Sequence, residues 1–477
     1  MKRSVITAAM AAAMSLAAAA VGAQAKYVFL FIGDGMALSQ VSAAEIYAKA
    51  KAESGEPGFK RLGFTQFPAQ GITTTYDSSS IITDSASAVT ALATGNKTLS
   101  GVINMDAGKT AKFTTIAEMA KKAGYRVGVV SNVSLDHATP AGFYAKVPSR
   151  GDMHDIALQL ADSGFDFFGG GGFVQPKGPK GDKPDAIENM KAKGYKVVTT
   201  AEGFRALKAG DGKVVAINET LQDSMAMPYD IDRKPGDPSL SDYVSKGIEL
   251  LSAKGSKGFF FAVESGKIDW ACHANDAAAS IGDVIAFDAA IGVAVDFMKK
   301  HPKDTLIVVT GDHETGGMSI GFAGTQYATA FASVKQKGSY VAFNADVLGP
   351  YKASHKPAEA SLEDMYAVME EYFNLDFAAL SAPDMETLYR SFMRSMKSEV
   401  VKAPVENEFL LYGGYEPLTV TLTHLANQKA GIGWTTYAHT GVPVPTYAAG
   451  KGAEAFDGYY DNTDIFGKLA AAMRIKK

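Results

Sequence analysis

Short, strongly apolar runs recur along the chain, and several end at a carboxylate. Tyr27–Gly33 runs into Asp34, Gly258–Val263 into Glu264, and Thr305–Gly311 into Asp312 and His313. Unbroken runs of this length, rich in Val, Ile and Phe, read as strands buried on both faces, as in a parallel sheet. Arg126–Ser131 and Phe165–Phe168 are further strand candidates, and Thr114–Ala123 and Ile281–Lys300 are helix candidates between them. From Lys26 to about Ile320 this alternation predicts an α/β fold: a doubly wound, mostly parallel central sheet with helices on both faces. Ligands of open α/β sheets bind beyond the carboxyl ends of the strands. Asp34, Glu264 and Asp312 therefore reach one sheet edge from distant parts of the chain. Carboxylates gathered there repel one another unless cations neutralise them, so the pattern points to a multi-metal site.

The pattern changes between residues 321 and 430. Leu362, Met365, Tyr366, Met369 and Phe373 follow helical spacing behind a Ser361 N-cap, and Met385, Leu388, Phe392 and Met396 form a second stripe. Neither stripe carries a ligand pattern, and both read as the packing core of an inserted subdomain. His439-Thr440-Gly441 and a helix over Asn462–Met473 then rejoin the main fold. The expected organisation is a core over 26–320, an insertion over 321–430 and a return over 431–477. The segment Gln175–Pro184, rich in Pro, Gly and Lys, reads as an exposed loop.

At 477 residues the chain has room for one large domain with an insertion, or for two domains. The N-terminus has a Lys2-Arg3 n-region, an Ala-rich apolar stretch and Ala23-Gln24-Ala25, so residues 1–25 read as a secretory signal and not as an anchor. Its removal takes Lys2 and Arg3 and no acid, moving the formal charge from −4 to −6. That balance argues against specific nucleic-acid binding. No other run reads as a membrane span, and the expected location is secreted, periplasmic. The single cysteine, Cys272, allows no internal disulfide and reads as a small buried filler.

Candidate chemistry comes in small pieces. Ser85 stands where a helix over Val89–Ala93 begins, among free N–H groups that suit an oxygen carrying negative charge, although Asp84 or Ser85 could equally be a plain N-cap. Asp269 and His273 share one face of a helix at a workable metal-ligand spacing. Asp312-His313 closes a buried strand, and His439 lies in a Thr/Gly-rich loop. His154, His301, His355 and His424 lack such company and read as surface or packing residues.

Together, Phe31-Ile-Gly-Asp34-Gly-Met36, Thr83-Asp-Ser85-Ala, Ala138-Thr139-Pro-Ala through Ser149-Arg150, Glu264-Ser-Gly-Lys-Ile-Asp269 with His273, Gly311-Asp312-His313 and His439-Thr-Gly441 resemble the alkaline phosphatase family, in the family's order. The resemblance implies hydrolysis of phosphate monoesters through a phosphoserine on Ser85, with two Zn2+ and a third metal, usually Mg2+. By that match Asp269, His273 and His439 hold one zinc, and Asp34, Asp312, His313 and the Ser85 oxygen hold the other. Asp34, Thr139 and Glu264 match the third site, and Arg150 matches the guanidinium that grips phosphate. A homodimer is also implied, with the insertion resembling a crown-like subdomain or interface arm. Three positions depart from the best-known bacterial pattern: His137 for an aspartate, Trp270 for a lysine, and Thr315 for a histidine behind the zinc ligands. With His137 as neutral ligand or water-mediated donor, the third site is expected to bind Mg2+ more weakly or to accept Zn2+. The alternatives are a phosphodiesterase or nucleotide pyrophosphatase of the same superfamily, against which Ser85 with Arg150 argues, and a non-catalytic metal- or phosphate-binding protein.

Overall fold

The computed structural model describes residues 24–52, 57–253, 255–397 and 405–476. The stretch read as a signal lies outside the described residues up to position 23. Ten strands form one sheet: β1 (Tyr27–Gly33), β2 (Ala69–Thr74), β3 (Arg126–Ser131), β4 (Phe167–Gly170), β5 (Tyr195–Val198), β6 (Lys213–Ile217), β7 (Phe259–Ser265), β8 (Thr305–Gly311), β9 (Val444–Gly450) and β10 (Gly458–Asp461). Their spatial order is β10-β2-β9-β8-β1-β7-β3-β4-β6-β5. All neighbours pair in parallel except β9, which runs antiparallel to both β2 and β8. The doubly wound, mostly parallel sheet read from the sequence is present, with the late β9 and β10 completing one side.

Central strand β1 shows why its run is apolar without alternation. Val28, Leu30 and Ile32 join the hydrophobic cluster on one face, and Phe29 and Phe31 join the cluster on the other. A buried Phe contributes about 2 kcal/mol of hydrophobic stabilisation, and the second face is stacked with Phe29, Phe31, Phe259 and Phe261. Apolarity marks burial more faithfully than strand limits. Phe165 is buried, yet β4 starts two residues later, because Asp166 turns its carboxylate onto Val127 N (2.8 Å) and Lys121 Nζ (2.6 Å).

Helices α1 (Ser85–Thr94) and α2 (Lys267–His273) lie at the carboxyl edge, and α3 (Ala277–Lys300) packs Phe287 and Phe297 against the phenylalanines of β1. By length and composition α3 could cross a bilayer, which the sequence reading overlooked; its apolar surface is instead spent on the sheet. In the later region α4 (Tyr366–Phe373), α5 (Ala382–Ser395) and α6 (Pro417–Ala430) surround a separate hydrophobic cluster. That cluster takes in both predicted stripes. A short antiparallel ladder, Ser319–Ile320 with Ile432–Gly433, ties the chain entering this region to the chain leaving it. Finally α7 (Asn462–Ala472) packs on α1.

Candidate active site

Strand register sets the floor of the site. Gly33 is level with Ser265 on one side and Gly311 on the other, so Asp34 and Asp312 emerge side by side and Glu264, level with Ile32, stands just before them. Asp34 N donates to Ser265 O (3.2 Å), and Gly35 N donates to Asp312 Oδ1 (3.1 Å). Gly35, at φ +71°, is required here, since a Cβ would meet Asp269 Cα and Thr315 Oγ1 at 2.8 Å. All three carboxylates are buried, and Asp34 Oδ1, Glu264 Oε1 and Asp312 Oδ2 accept no hydrogen bond. Burial, then mutual repulsion, pushes Asp34 and Asp312 well above the usual carboxylate range; burial lifts Glu264 to about 7 against the hydrogen bond from Ser131. Buried anionic oxygens without partners are costly, and a cation is the group that satisfies them.

The imidazoles repeat the theme. Helix α2 puts Asp269 and His273 on one face, with His273 Nε2 3.3 Å from Asp269 Oδ2. His273 Nδ1 donates to Tyr437 O (2.6 Å) and His439 Nδ1 donates to Thr83 O (2.7 Å). Both Nε2 lone pairs then face each other at 3.1 Å, and such convergence suits a shared metal. Burial works to lower His273, yet Asp269 outweighs it and raises the imidazole to about 9, so a proton and a metal compete for this place. Asp269 itself is held well below the carboxylate range, despite burial, by His273 and its neighbours. The His313 ring stacks on His439 at 3.6 Å. Three ligand groups, Asp269/His273/His439, Asp34/Asp269/His313 and Asp34/His137/Glu264, each present atoms within 4.8 Å of one another. The donor set of N and O atoms fits zinc, and the more oxygen-rich side, where Asp34, Glu264 and Thr139 stand with one imidazole, His137, fits a harder cation or a zinc.

Ser85 is the first residue of α1 and is almost fully buried, with Oγ 3.3 Å from His313 Nε2. Capping falls to Asp84, whose Oδ1 accepts from Ser87 N (2.9 Å), so the Ser85 hydroxyl is free of that duty. The other oxygen of Asp84 takes Arg150 Nη1 (3.0 Å), while Arg150 Nη2 donates to His137 Nε2 (2.9 Å). Burial and the adjacent guanidinium push His137 down to about 3, and Arg150 with Ser87 holds Asp84 at about 2 against its burial.

Thr139 Oγ1 donates to Asp34 Oδ2 (3.3 Å), Ser131 Oγ to Glu264 Oε2, and Thr315 Oγ1 to Asp269 Oδ1 (2.5 Å). Thr315 thus fixes Asp269 directly. A cavity of about 280 Å³ opens over Ser85, Arg150, His137, His273 and His439, and Asp223, Ser224, Trp270, Tyr340 and Tyr415 share its lining. Every residue singled out from the sequence meets at this edge. Missed were the anchoring roles of Asp84 and Ser131, and the contributions of Asp223, Tyr340 and Tyr415. No local pattern marks the two tyrosines, which come from the inserted region.

A parallel-rich sheet whose carboxyl edge assembles three metal-ligand groups around a helix-terminal serine and an arginine defines a metal-dependent phosphoric ester hydrolase. The chain belongs to the alkaline phosphatase family, whose family model matches residues 25–475. It is 32% identical over 460 residues to alkaline phosphatase 3 of Bacillus subtilis (strain 168), covering 94% of this chain and 89% of that one. The solved cold-active alkaline phosphatase of the psychrophile Shewanella sp. superposes with a TM-score of 0.75 at 29% identity, covering 94% and 99% of the two chains. A TAB5 alkaline phosphatase variant with a histidine replaced by Glu, solved with Mg bound in its M3 site, gives a TM-score of 0.64 at 27% identity, covering 95% and 99%. This protein is an alkaline phosphatase: metal-dependent, and a hydrolase of phosphate monoesters.

Proposed function

We propose that Ser85 is the nucleophile of this phosphomonoesterase and that Arg150 grips the phosphate. The carrying observation is the Ser85 hydroxyl, released from capping by Asp84 and set beside His313 in the cavity that Arg150 also lines. Ser85 Oγ bonds to phosphorus as the alcohol leaves with the serine proton, and water then cleaves the phosphoserine to inorganic phosphate. Arg150 presents its planar fork, pre-oriented by Asp84 and His137, to two phosphate oxygens. Asp269, His273 and His439 would hold one Zn2+, and Asp34, Asp312, His313 and Ser85 a second. Asp34, Thr139 and Glu264, with His137 adjacent, would hold Mg2+ or Zn2+. When bound, paired divalent cations supply Lewis-acid stabilisation of charge on the attacking and leaving oxygens. Hydrolysis of an aryl phosphate monoester is expected to exceed that of the matching diester by at least about a hundredfold, the scale of one well-placed charged donor. Preference for the diester would move the chain to the phosphodiesterase branch.

Secretion to the periplasm and a homodimer belong to the same reading. Exposed Phe409 and Leu410 support the inserted region, 321–430, as the contact between copies. The signal boundary gains a sharper form. Ala25 is fully buried, Ala25 N donates to Ala472 O (2.9 Å), and Gln24 Nε2 donates to Met473 O (2.8 Å). These bonds favour a mature chain that begins at Gln24, after Val21-Gly22-Ala23, over one that begins at Lys26. Intact mass of the exported protein checks this; a Lys26 start would show that the two residues are dispensable.

A further inference from the structure

The cavity wall away from the metal ligands has a chemistry of its own. Trp270, Tyr340 and Tyr415 supply aromatic surface, the two tyrosine rings meeting edge to face at 5.8 Å, and Asp223 supplies a carboxylate. This neighbourhood already holds one ammonium. Lys267 Nζ, wholly buried, lies 2.5 Å from Asp223 Oδ1, 3.7 Å from the Tyr229 ring centre and 5.1 Å from that of Trp270. Asp223 is the closest carboxylate to this ammonium and its only ion-pair partner among the described residues. The second Asp223 oxygen carries no hydrogen bond among the described residues, and its side chain is 27% exposed toward the cavity. The turn presenting it is fixed: Ser224 and Met225 both adopt left-handed conformations (φ 47° and 61°), and Gly172 N donates to Met225 O (2.8 Å). Left-handed non-glycine residues in succession persist only where the surroundings impose them, as at ligand-facing turns.

We infer that this wall receives the alcohol half of the substrate and selects phosphate monoesters of short alcohols that carry an ammonium group. The inference rests on the phosphomonoesterase reading above. Phosphate sits with Ser85 and Arg150, and the cationic end of the alcohol lies against the aromatic faces with the free Asp223 oxygen beside it. Trp270 itself brings an uncharged aromatic face to this wall.

The test compares kcat/KM for choline phosphate and 3,3-dimethylbutyl phosphate, esters of one shape in which carbon replaces the charged nitrogen. The metal-supplied full-length enzyme is expected to favour the choline ester by about tenfold, the scale of a desolvated cation–π contact. Asp223→Asn, which keeps the aromatic faces, is expected to lower the ratio several-fold. Should that variant fail to fold because Lys267 loses its partner, Tyr415→Leu, which leaves the ion pair intact, is expected to lower the ratio several-fold. Equal rates in the wild-type enzyme overturn the inference and leave the phosphomonoesterase standing, as does a ratio unmoved in both variants. Hydrolysis of neither ester, nor of an aryl phosphate, overturns the phosphomonoesterase reading and this inference with it.

Discussion

Ser85→Ala is expected to cut phosphate monoester turnover by at least about a thousandfold, the scale seen when a catalytic nucleophile is removed. Folding should be nearly untouched. Among the described residues the Ser85 hydroxyl makes one hydrogen bond, at 3.3 Å with His313 Nε2, and α1 keeps its Asp84 cap and its Gly95 C-cap at φ +71°. Stability in denaturant should therefore stay within about 1 kcal/mol of wild type. Three readouts separate a lost nucleophile from a lost fold: turnover, the denaturant midpoint and bound metal. Acid-quenched wild-type enzyme should carry a phosphate ester on Ser85, found by peptide mass, and the variant should carry none. Turnover near the wild-type rate would sink the assignment.

The second large effect is metal removal, and it has a pH signature. A chelator is expected to abolish activity and to lower stability by about 2.7 kcal/mol for every site previously held at a hundredfold over its Kd. Without metal, the carboxylates at the sheet edge have folded-state pKa values raised above their unfolded values, Glu264 going from 4.5 to about 7, and Asp34 and Asp312 upward as well. A raised carboxyl binds more protons folded than unfolded, so its contribution is present below the unfolded pKa and is lost as pH rises through the folded one. For Glu264 that window runs from about 4.5 to about 7. Chelated protein should therefore lose stability between about pH 4.5 and about pH 7 as Glu264 ionises, while metal-loaded protein, whose carboxylates stay ionised, should not show this fall. Parallel pH slopes with and without chelator would contradict the metal-ligand assignment of these three residues.

Much of this architecture was legible in the sequence because burial on both sheet faces leaves an unambiguous trace. The runs ending at Asp34, Glu264 and Asp312 needed no tertiary knowledge to be placed at one edge. Strands β2, β5, β6, β9 and β10 were not read: β2 and β5 leave part of their length exposed, β6 is only a short run behind Lys213, and Pro445 and Thr446 in β9 and the exposed Tyr459 in β10 break the apolar run. Among site residues, those recognisable had a motif around them. Asp84 hid behind its capping role, although it both caps α1 and anchors Arg150. Ser131 ends an ordinary buried strand, and its bond to Glu264 depends on the β3–β7 register. Tyr340 and Tyr415 were invisible for another reason: they belong to a region whose periodic residues report only its own packing, and their approach to the cavity is set by how that region sits on the core.

The sheet order carries a consequence for biosynthesis. Asp34 leaves the ribosome near the beginning and His439 near the end, and β9, which follows His439, must slot between β2 and β8 before the sheet is whole. Contacts this distant in sequence form late and slowly. Until His439 and the strand that follows it are in place, the ligand group Asp269/His273/His439 beside Ser85 is incomplete, so ester hydrolysis is expected only from the finished sheet. Catalytic onset thereby coincides with completion of the sheet: the order of synthesis makes activity the last property the chain acquires.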